Sequence, residues 1–328
     1  MIWIQFVISS LVIVFASKKL SEYGEIVAIR TGLGSMFIGM ILLAGATSLP
    51  EFLTTISAIN LGVPDIAAGN MFGSNMFNMF ILGCIDVLFY NTRLLRRVAH
   101  RHALTGSLAV LLNALAIFFI LLNPDVKILW VGIDSILIIA VYLIGVWLVR
   151  SETNASSSDS DAEIDPKTPS LLRGIAGFAI ATVVLIFAVP WLVSSSNEIA
   201  SVTGLGTGFV GVLLVAFVTS LPEVVTTITA IRMGLFDMAV GNLLGSNLFN
   251  MFSLGLADFF MLNGRFIGSI DPRYVLVGTM AIILTCMALI GNLARLERKI
   301  LFLEMDAVLL IICYVAGIFI VYNLGIGL

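Results

Sequence analysis

Charge is scarce in this chain. Asp, Glu, Lys and Arg make up 11% of its 328 residues, where soluble domains run near about 25%. With 59% hydrophobic residues and a mean hydropathy of +1.10, that shortage excludes a sizeable soluble domain and leaves a polytopic membrane protein. Histidine is nearly absent as well. His100 and His102 are the two the chain has, both in a stretch read as a surface loop. An intramembrane hydrolase would need a Ser/His or His/metal constellation, so no enzyme chemistry and no cofactor is expected. Cys84, Cys286 and Cys313 fall inside apolar spans, without the spacing of a disulfide framework or zinc site. They are expected to pack as buried, small apolar side chains. A net charge of −3 and a pI near 5.4 speak against nucleic acid as a partner. The start, Met1-Ile-Trp-Ile-Gln-Phe, lacks the charged opening of a cleaved signal, so the first span is expected to be retained.

What the chain has is long apolar runs. A helix needs about 20 mostly apolar residues to cross the hydrocarbon core. That ruler predicts ten spans, at 1–17, 33–59, 65–90, 103–122, 128–149, 171–194, 207–231, 236–262, 274–293 and 301–324. The runs are continuous rather than alternating, which favours helices over a barrel. With the N-terminus placed outside, 14 Lys and Arg fall on the inner side and 3, Lys127, Arg265 and Arg273, on the outer side. The positive-inside rule thus supports a multi-pass protein of the cell membrane with both termini outside. The basic run from Arg93 to Arg101 reads as an inner-surface anchor near anionic lipid. Residues 151–170, rich in Ser, Asp and Glu, read as a disordered cytoplasmic linker. The linker separates a first unit, 1–150, from a second, 171–328. Five spans precede it and five follow. Five is odd, so the second set must enter from the opposite side, giving two inverted five-helix repeats.

The repeat is written in the residues. Segments 44–83 and 216–255 align without a gap and match at 25 of 40 positions, 172 residues apart. Each copy contains T-S-L-P-E, Thr47 to Glu51 and Thr219 to Glu223. A proline inside a span removes one N–H and displaces the carbonyl four residues back. Thr47 and Ser48 lie four and three residues before Glu51, so the three share a helix face; Thr219, Ser220 and Glu223 do the same. An ionised acid at the centre of a membrane helix costs roughly 2.5–3.5 kcal/mol or more. Two acids at equivalent positions are therefore best explained by a shared function. Hydroxyls, carbonyls and carboxylates are hard oxygen ligands suited to sodium or calcium.

Each copy also contains G-N-x-x-G-S-N-x-F-N. Gly69 and Gly73, like Gly241 and Gly245, form a small-xxx-small face for close helix approach. Beside it run polar stripes, Asn70, Ser74 and Asn78, and Asn242, Ser246 and Asn250, expected to complete an ion cage. Asn75 and Asn247 are assigned to helix packing or backbone bonding. Asp65/Asp237 and Asp86/Asp258 repeat near span ends, where capping and solvation suffice.

These paired motifs resemble the two alpha-repeats of the sodium/calcium exchanger family, in the cation/calcium antiporter superfamily. The resemblance implies an all-α membrane protein of ten helices, the first and sixth sliding across the rest. It implies sodium-driven calcium extrusion, with no partners but the transported ions and lipid, and the chain is expected to function as a monomer. Carried over by motif position, Glu51 and Glu223 become the paired acids. Thr47 and Thr219 would give carbonyls, and Ser48, Ser220, Ser74 and Ser246 hydroxyls. Ala44 and Ala216 would supply carbonyls to outlying sodium sites, and Asn78 falls on the family's first-repeat asparagine. Archaeal relatives commonly carry Asp at the position of Asn250, which leaves proton coupling open as the alternative.

Charge suggests the mechanism. An empty site holding Glu51 and Glu223 carries two negative charges, costly to move through a low dielectric. One calcium neutralises it, as do two sodium ions or two protons, so exchange is expected rather than leak.

Overall fold

The computed structural model describes residues 1–31, 44–89, 102–156, 169–262, 264–294, 299–300 and 303–325. It is helical and inside out relative to a soluble protein. Large apolar side chains such as Trp3, Phe15, Phe118, Trp147, Phe187 and Phe319 are exposed, while Ser48, Glu51, Asn75, Glu223 and Asn247 are buried. That distribution suits a hydrocarbon surround, where the outer surface needs no polar groups.

Helix α1 (Ile2–Thr31) precedes the first repeated segment. Residues 44–47 are helical, the helix breaks at Ser48, and α2 (Leu49–Asn60) follows. Then come α3 (Pro64–Leu88), α4 (Ala103–Leu122) and α5 (Ile133–Ser156). The second half runs through α6 (Leu171–Thr203), α7 (Thr207–Thr219), α8 (Leu221–Arg232), α9 (Phe236–Ala257), α10 (Tyr274–Ala294) and α11 (Met305–Asn323). By length and composition, six of the described helices can cross a membrane, or seven if the bent pair α7 and α8 is one span. The other expected spans fall short of that measure for separate reasons. Segment 33–59 is broken at Ser48 and lies partly outside the described residues. In α10 the apolar stretch is the shorter Tyr274–Ile290. Helix α9 carries Asp237, Asn242, Asn247 and Asn250.

Three helices run well past their predicted spans. Hydropathy ends near residue 194, yet α6 continues through Ser195, Ser196, Asn197 and Glu198 to a left-handed cap at Gly204, φ 70°, the conformation glycine adopts most readily. Helix α1 likewise runs on to Thr31. The two pack along each other, and Gln5 Nε2 donates to Trp191 O at 3.3 Å. Helix α5 extends to Ser156, so the first residues of the segment read as linker are helical. The rest of that segment up to residue 168, and the basic residues Arg93, Arg96, Arg97, His100 and Arg101, lie outside the described residues.

The 172-residue offset reaches beyond the motifs. Helices α2 and α8, α3 and α9, and α5 and α11 all begin at matched positions. Each of α5 and α11 is preceded by a two-stranded antiparallel ribbon. β1 (Lys127–Ile128) pairs with β2 (Val131–Gly132), Lys127 opposite Gly132. β3 (Lys299–Ile300) pairs with β4 (Leu303–Glu304), Lys299 opposite Glu304. The ribbons explain why these helices start at Ile133 and Met305, later than the runs at 128 and 301 imply.

Helix α3 sits centrally, packed against α2, α7, α9, α10 and α11. Its glycines allow this. A Cβ on Gly73 would lie 2.6 Å from Val212 O, and one on Gly69 2.7 Å from Gly208 O. Gly208 apart, the backbone met there belongs to Gly211–Val215, a π-helical segment of α7. The expected small-residue face thus packs in its first copy against a helix with a local register change. At one end of the bundle, Arg265 Nη1 donates to Asp134 Oδ2 at 3.0 Å and Nη2 donates to Asn123 Oδ1. Asp258, beside them, accepts from the backbone N–H of Gly132 at 2.6 Å and Phe266 at 2.5 Å. Solvation does not describe this acid: Asp258 is fully buried and holds the backbone of two other segments.

Candidate cation site

The prolines do not sit in mid-helix. The breaks fall at Ser48 (φ −88°, ψ 7°) and Ser220 (φ −87°, ψ 3°), with Pro50 and Pro222 in the first turn of the helices that follow. There a missing N–H costs nothing, because first-turn N–H groups have no intrahelical partner. Each break places a glutamate, Glu51 or Glu223, in the first turn of a new helix. The positive end of the helix dipole favours a carboxylate there. Both side chains are buried, 1% and 0% exposed.

The two halves meet reciprocally. Ser48 Oγ donates to Glu223 Oε1 at 3.0 Å, and Ser220 Oγ donates to Glu51 Oε1 at 3.1 Å. The same exchange recurs one layer out. Thr47 Oγ1 donates to Asn242 Oδ1 at 3.4 Å, and Thr219 Oγ1 to Asn70 Oδ1 at 2.9 Å. Asn70 Nδ2 in turn donates to Glu51 O at 3.3 Å, and Asn242 Nδ2 to Glu223 O at 3.4 Å. Residue i of one half meeting residue j of the other, and j meeting i, is the signature of a two-fold arrangement.

The copies differ in detail. Ser246 Oγ donates to Glu223 Oε1 at 3.3 Å, whereas its counterpart Ser74 Oγ has no partner. Asn242 also reaches Thr227 Oγ1 at 3.1 Å, while Thr55, the matching hydroxyl, has none.

Five buried oxygens of the predicted site residues take no hydrogen bond: Glu51 Oε2, Glu223 Oε2, Ser74 Oγ, Asn78 Oδ1 and Asn250 Oδ1. Buried polar atoms are usually satisfied, and unpaired ones cost free energy. Coordination to a hard cation is one way such oxygens are satisfied. Among the described residues there is no cluster of three or more His, Cys, Asp or Glu.

The remaining predicted ligands are placed less openly. Ala44 O accepts from Ser48 N at 2.9 Å and Thr47 Oγ1 at 3.1 Å. Ala216 O accepts from Ser220 N at 3.0 Å and Thr219 Oγ1 at 3.4 Å. These carbonyls border the site with their lone pairs already engaged.

Asn70 and Asn242, noticed in the stripe but not ranked with the ligands, bridge the halves through the threonines. Asn75 and Asn247 do more than pack: Asn250 Nδ2 donates to Asn75 Oδ1 at 3.0 Å and Asn78 Nδ2 to Asn247 Oδ1 at 2.9 Å. Their position on the motif's repeated face was the available signal.

Two expectations are corrected. His102 is not on a surface loop: it is 1% exposed, with Nε2 3.5 Å from Asp237 Oδ1. The three cysteines are free but only partly buried.

Comparison with known proteins bears on the family and the fold. The chain matches the family described as sodium/calcium exchanger protein over residues 1–150 and 173–323. It is 26% identical over 251 residues to the inner membrane protein YrbG of Escherichia coli, covering 75% of each chain. Its fold is similar to the crystal structure of an H+/Ca2+ exchanger, CAX, with a TM-score of 0.74 at 16% identity, over 99% of this chain and 85% of that one. It is also similar to the sodium-calcium exchanger NCX_Mj, with a TM-score of 0.59 at 21% identity, over 97% and 99% of the two chains.

Proposed function

The chain belongs to the sodium/calcium exchanger protein family, and from that premise we propose that it is a secondary active antiporter moving calcium against sodium by alternating access. The observation that carries the proposal is the reciprocal pair Ser48–Glu223 and Ser220–Glu51, surrounded by buried oxygens without partners. Cargo calcium or sodium would bind between Glu51 and Glu223. Ser74, Ser246, Asn78 and Asn250 would add neutral oxygens around them. Ala44, Ala216, Thr47 and Thr219 would form the border where outlying sodium ions sit.

The layout proposed for this activity is ten membrane helices in two inverted five-helix repeats, joined by the acidic linker. Matched starts of α2 and α8, α3 and α9, and α5 and α11 support it. The distribution of Lys and Arg supports both termini outside a cell membrane. The chain is proposed to work as a monomer, without catalytic chemistry or a resident cofactor. Function follows from charge. An empty carrier must switch with two unneutralised carboxylates held in a low dielectric, while a loaded one is neutral, so the carrier switches only when occupied.

A second reading, coupling to protons, draws on one feature. Both motif copies end in Asn, so the site holds two acids, which two protons neutralise as fully as one calcium does. Calcium uptake into proteoliposomes under imposed gradients separates the readings. Uptake driven by an outward sodium gradient at equal pH is expected. Uptake driven by a pH gradient in sodium-free vesicles assigns the second reading, and no uptake under either gradient ends both.

A further inference from the structure

The two ends of an asparagine amide have the same shape, so its partners decide which end faces a site. Only the oxygen end can ligate a cation; the NH2 end repels one. Asn250 is therefore useful to the proposed site only if something fixes its orientation.

The structure contains such a device, and it begins outside both repeated motifs. Asn113, in the middle of α4 and 1% exposed, donates Nδ2 to Ala109 O at 2.9 Å. A backbone carbonyl can only accept, so Asn113 must turn its oxygen the other way. That oxygen accepts from Asn75 Nδ2 at 3.2 Å. Asn75 must then turn its own oxygen onward, where it accepts from Asn250 Nδ2 at 3.0 Å. The last amide has its NH2 committed, and Asn250 Oδ1 is left buried and without a partner. Each step has one permitted sense, so orientation passes from a carbonyl on α4 to an oxygen on α9. A shorter relay starts from Asn75 O, which accepts from Asn247 Nδ2 at 3.4 Å, and ends at Asn78. The anchor is not duplicated. The position matching Asn113 is Thr285, whose hydroxyl donates to Ala281 O at 2.8 Å.

We propose that Asn113 is a positioning residue for the cation site, acting through Asn75 to make Asn250 present its oxygen rather than its NH2. The proposal rests on the antiporter reading above. It predicts a dependence that a packing role would not create. A carboxylate at position 250 has no NH2 end, so it needs no orientation.

The test is a double-mutant cycle on the full chain, read as the calcium concentration for half-maximal uptake in proteoliposomes and as calcium-induced thermal stabilisation in detergent. Asn113→Leu in the wild-type background is expected to raise half-saturation by roughly tenfold with maximal uptake little changed. In the Asn250→Asp background the same substitution is expected to change half-saturation by less than about twofold, or to lower it. Equal losses in both backgrounds, or no loss in the wild type, overturn the relay. If Asn113→Leu does not fold, Asn113→Thr, which copies the second repeat, keeps the bond to the carbonyl but is too short to reach Asn75. It carries the same expectations. A wild type that neither binds nor takes up calcium overturns the antiporter reading itself, whereas additive losses in a calcium-binding protein overturn only the relay.

Discussion

Replacing Glu223 by Gln isolates charge from shape. Gln keeps an oxygen where Glu223 Oε1 accepts from Ser48 at 3.0 Å and from Ser246 at 3.3 Å, so the reciprocal contact survives. The substitution takes away one of two negative charges facing the proposed calcium, in a position fully removed from water. Breaking a buried charge pair by removing one partner costs about 3–5 kcal/mol, which is roughly two to three and a half orders of magnitude in affinity. Calcium-induced thermal stabilisation reads this directly. At calcium a hundredfold above its dissociation constant, the wild type gains about 2.7 kcal/mol. A variant weakened a hundredfold, at the same calcium, gains only about 0.4 kcal/mol by the same relation. The calcium-free unfolding temperature should not fall, since no packing is lost. Glu51→Gln should behave alike, because Glu51 occupies the matching place. Calcium affinity within about threefold of wild type, with flux retained, would refute the assignment of the paired acids.

Ser48→Ala and Ser220→Ala each remove one hydroxyl bond to a carboxylate of the opposite half. Each should raise calcium half-saturation by roughly tenfold to a hundredfold; a much larger effect from one than from the other, in uptake assays, would contradict their equivalence. Gly73→Ala places a methyl 2.6 Å from Val212 O, where backbone must move. It should lower the unfolding temperature of calcium-free protein by an amount equivalent to about 1–3 kcal/mol. Arg265→Met leaves Asp134 buried without its cation. It should cost about 3–5 kcal/mol of stability, seen as lost yield or thermal stability. The ion preference of the surviving protein should be unchanged.

The features legible in the sequence were those the duplication writes twice. Glu51 and Glu223, Ser48 and Ser220, and the glycines of the motif could be read because a second copy halves the number of coincidental explanations. The chain breaks at Ser48 and Ser220, and the prolines open the next helices rather than, as the sequence reading supposes, disturb the middle of one. A proline in an apolar run looks the same whether it interrupts a helix or opens one, and the difference lies in the dihedrals of the preceding serine. Helix ends were blurred because hydropathy measures depth in hydrocarbon, not hydrogen bonding. In α6 the polar run at Ser195 to Glu198 ends the apolar stretch but not the helix, because Ile199 and Ala200 beyond it are still buried. The ribbons before α5 and α11 had a signal that went unused: Lys-Ile-Leu at 127–129 recurs at 299–301, and Asp134 recurs as Asp306. The partners of Asn75 could not be read, because Asn113 lies outside the repeat and reaches it only through tertiary packing.

Reciprocity bears on how the proposed exchange would be enforced. Each glutamate takes a hydrogen bond from the opposite half, so displacing α2 against α8 breaks both bonds together. That would leave two carboxylates in a low dielectric with less to stabilise either, a cost that falls on both sides of the membrane alike. A cation between them offsets this cost and ties α2 to α8 during any motion. The family resemblance implies that the first and sixth helices slide across the rest, and under the proposed function such a movement would leave α2, α3, α8 and α9 in place. Helices α1 and α6 fit that requirement. They pack along each other, α1 against α8 and α6 against α2, and Gln5 joins them through Trp191 O. The proposed alternating access would have such a pair slide as a unit while the ion stays between Glu51 and Glu223. Under the proposed function, occupancy would govern transport by offsetting the repulsion of two acids.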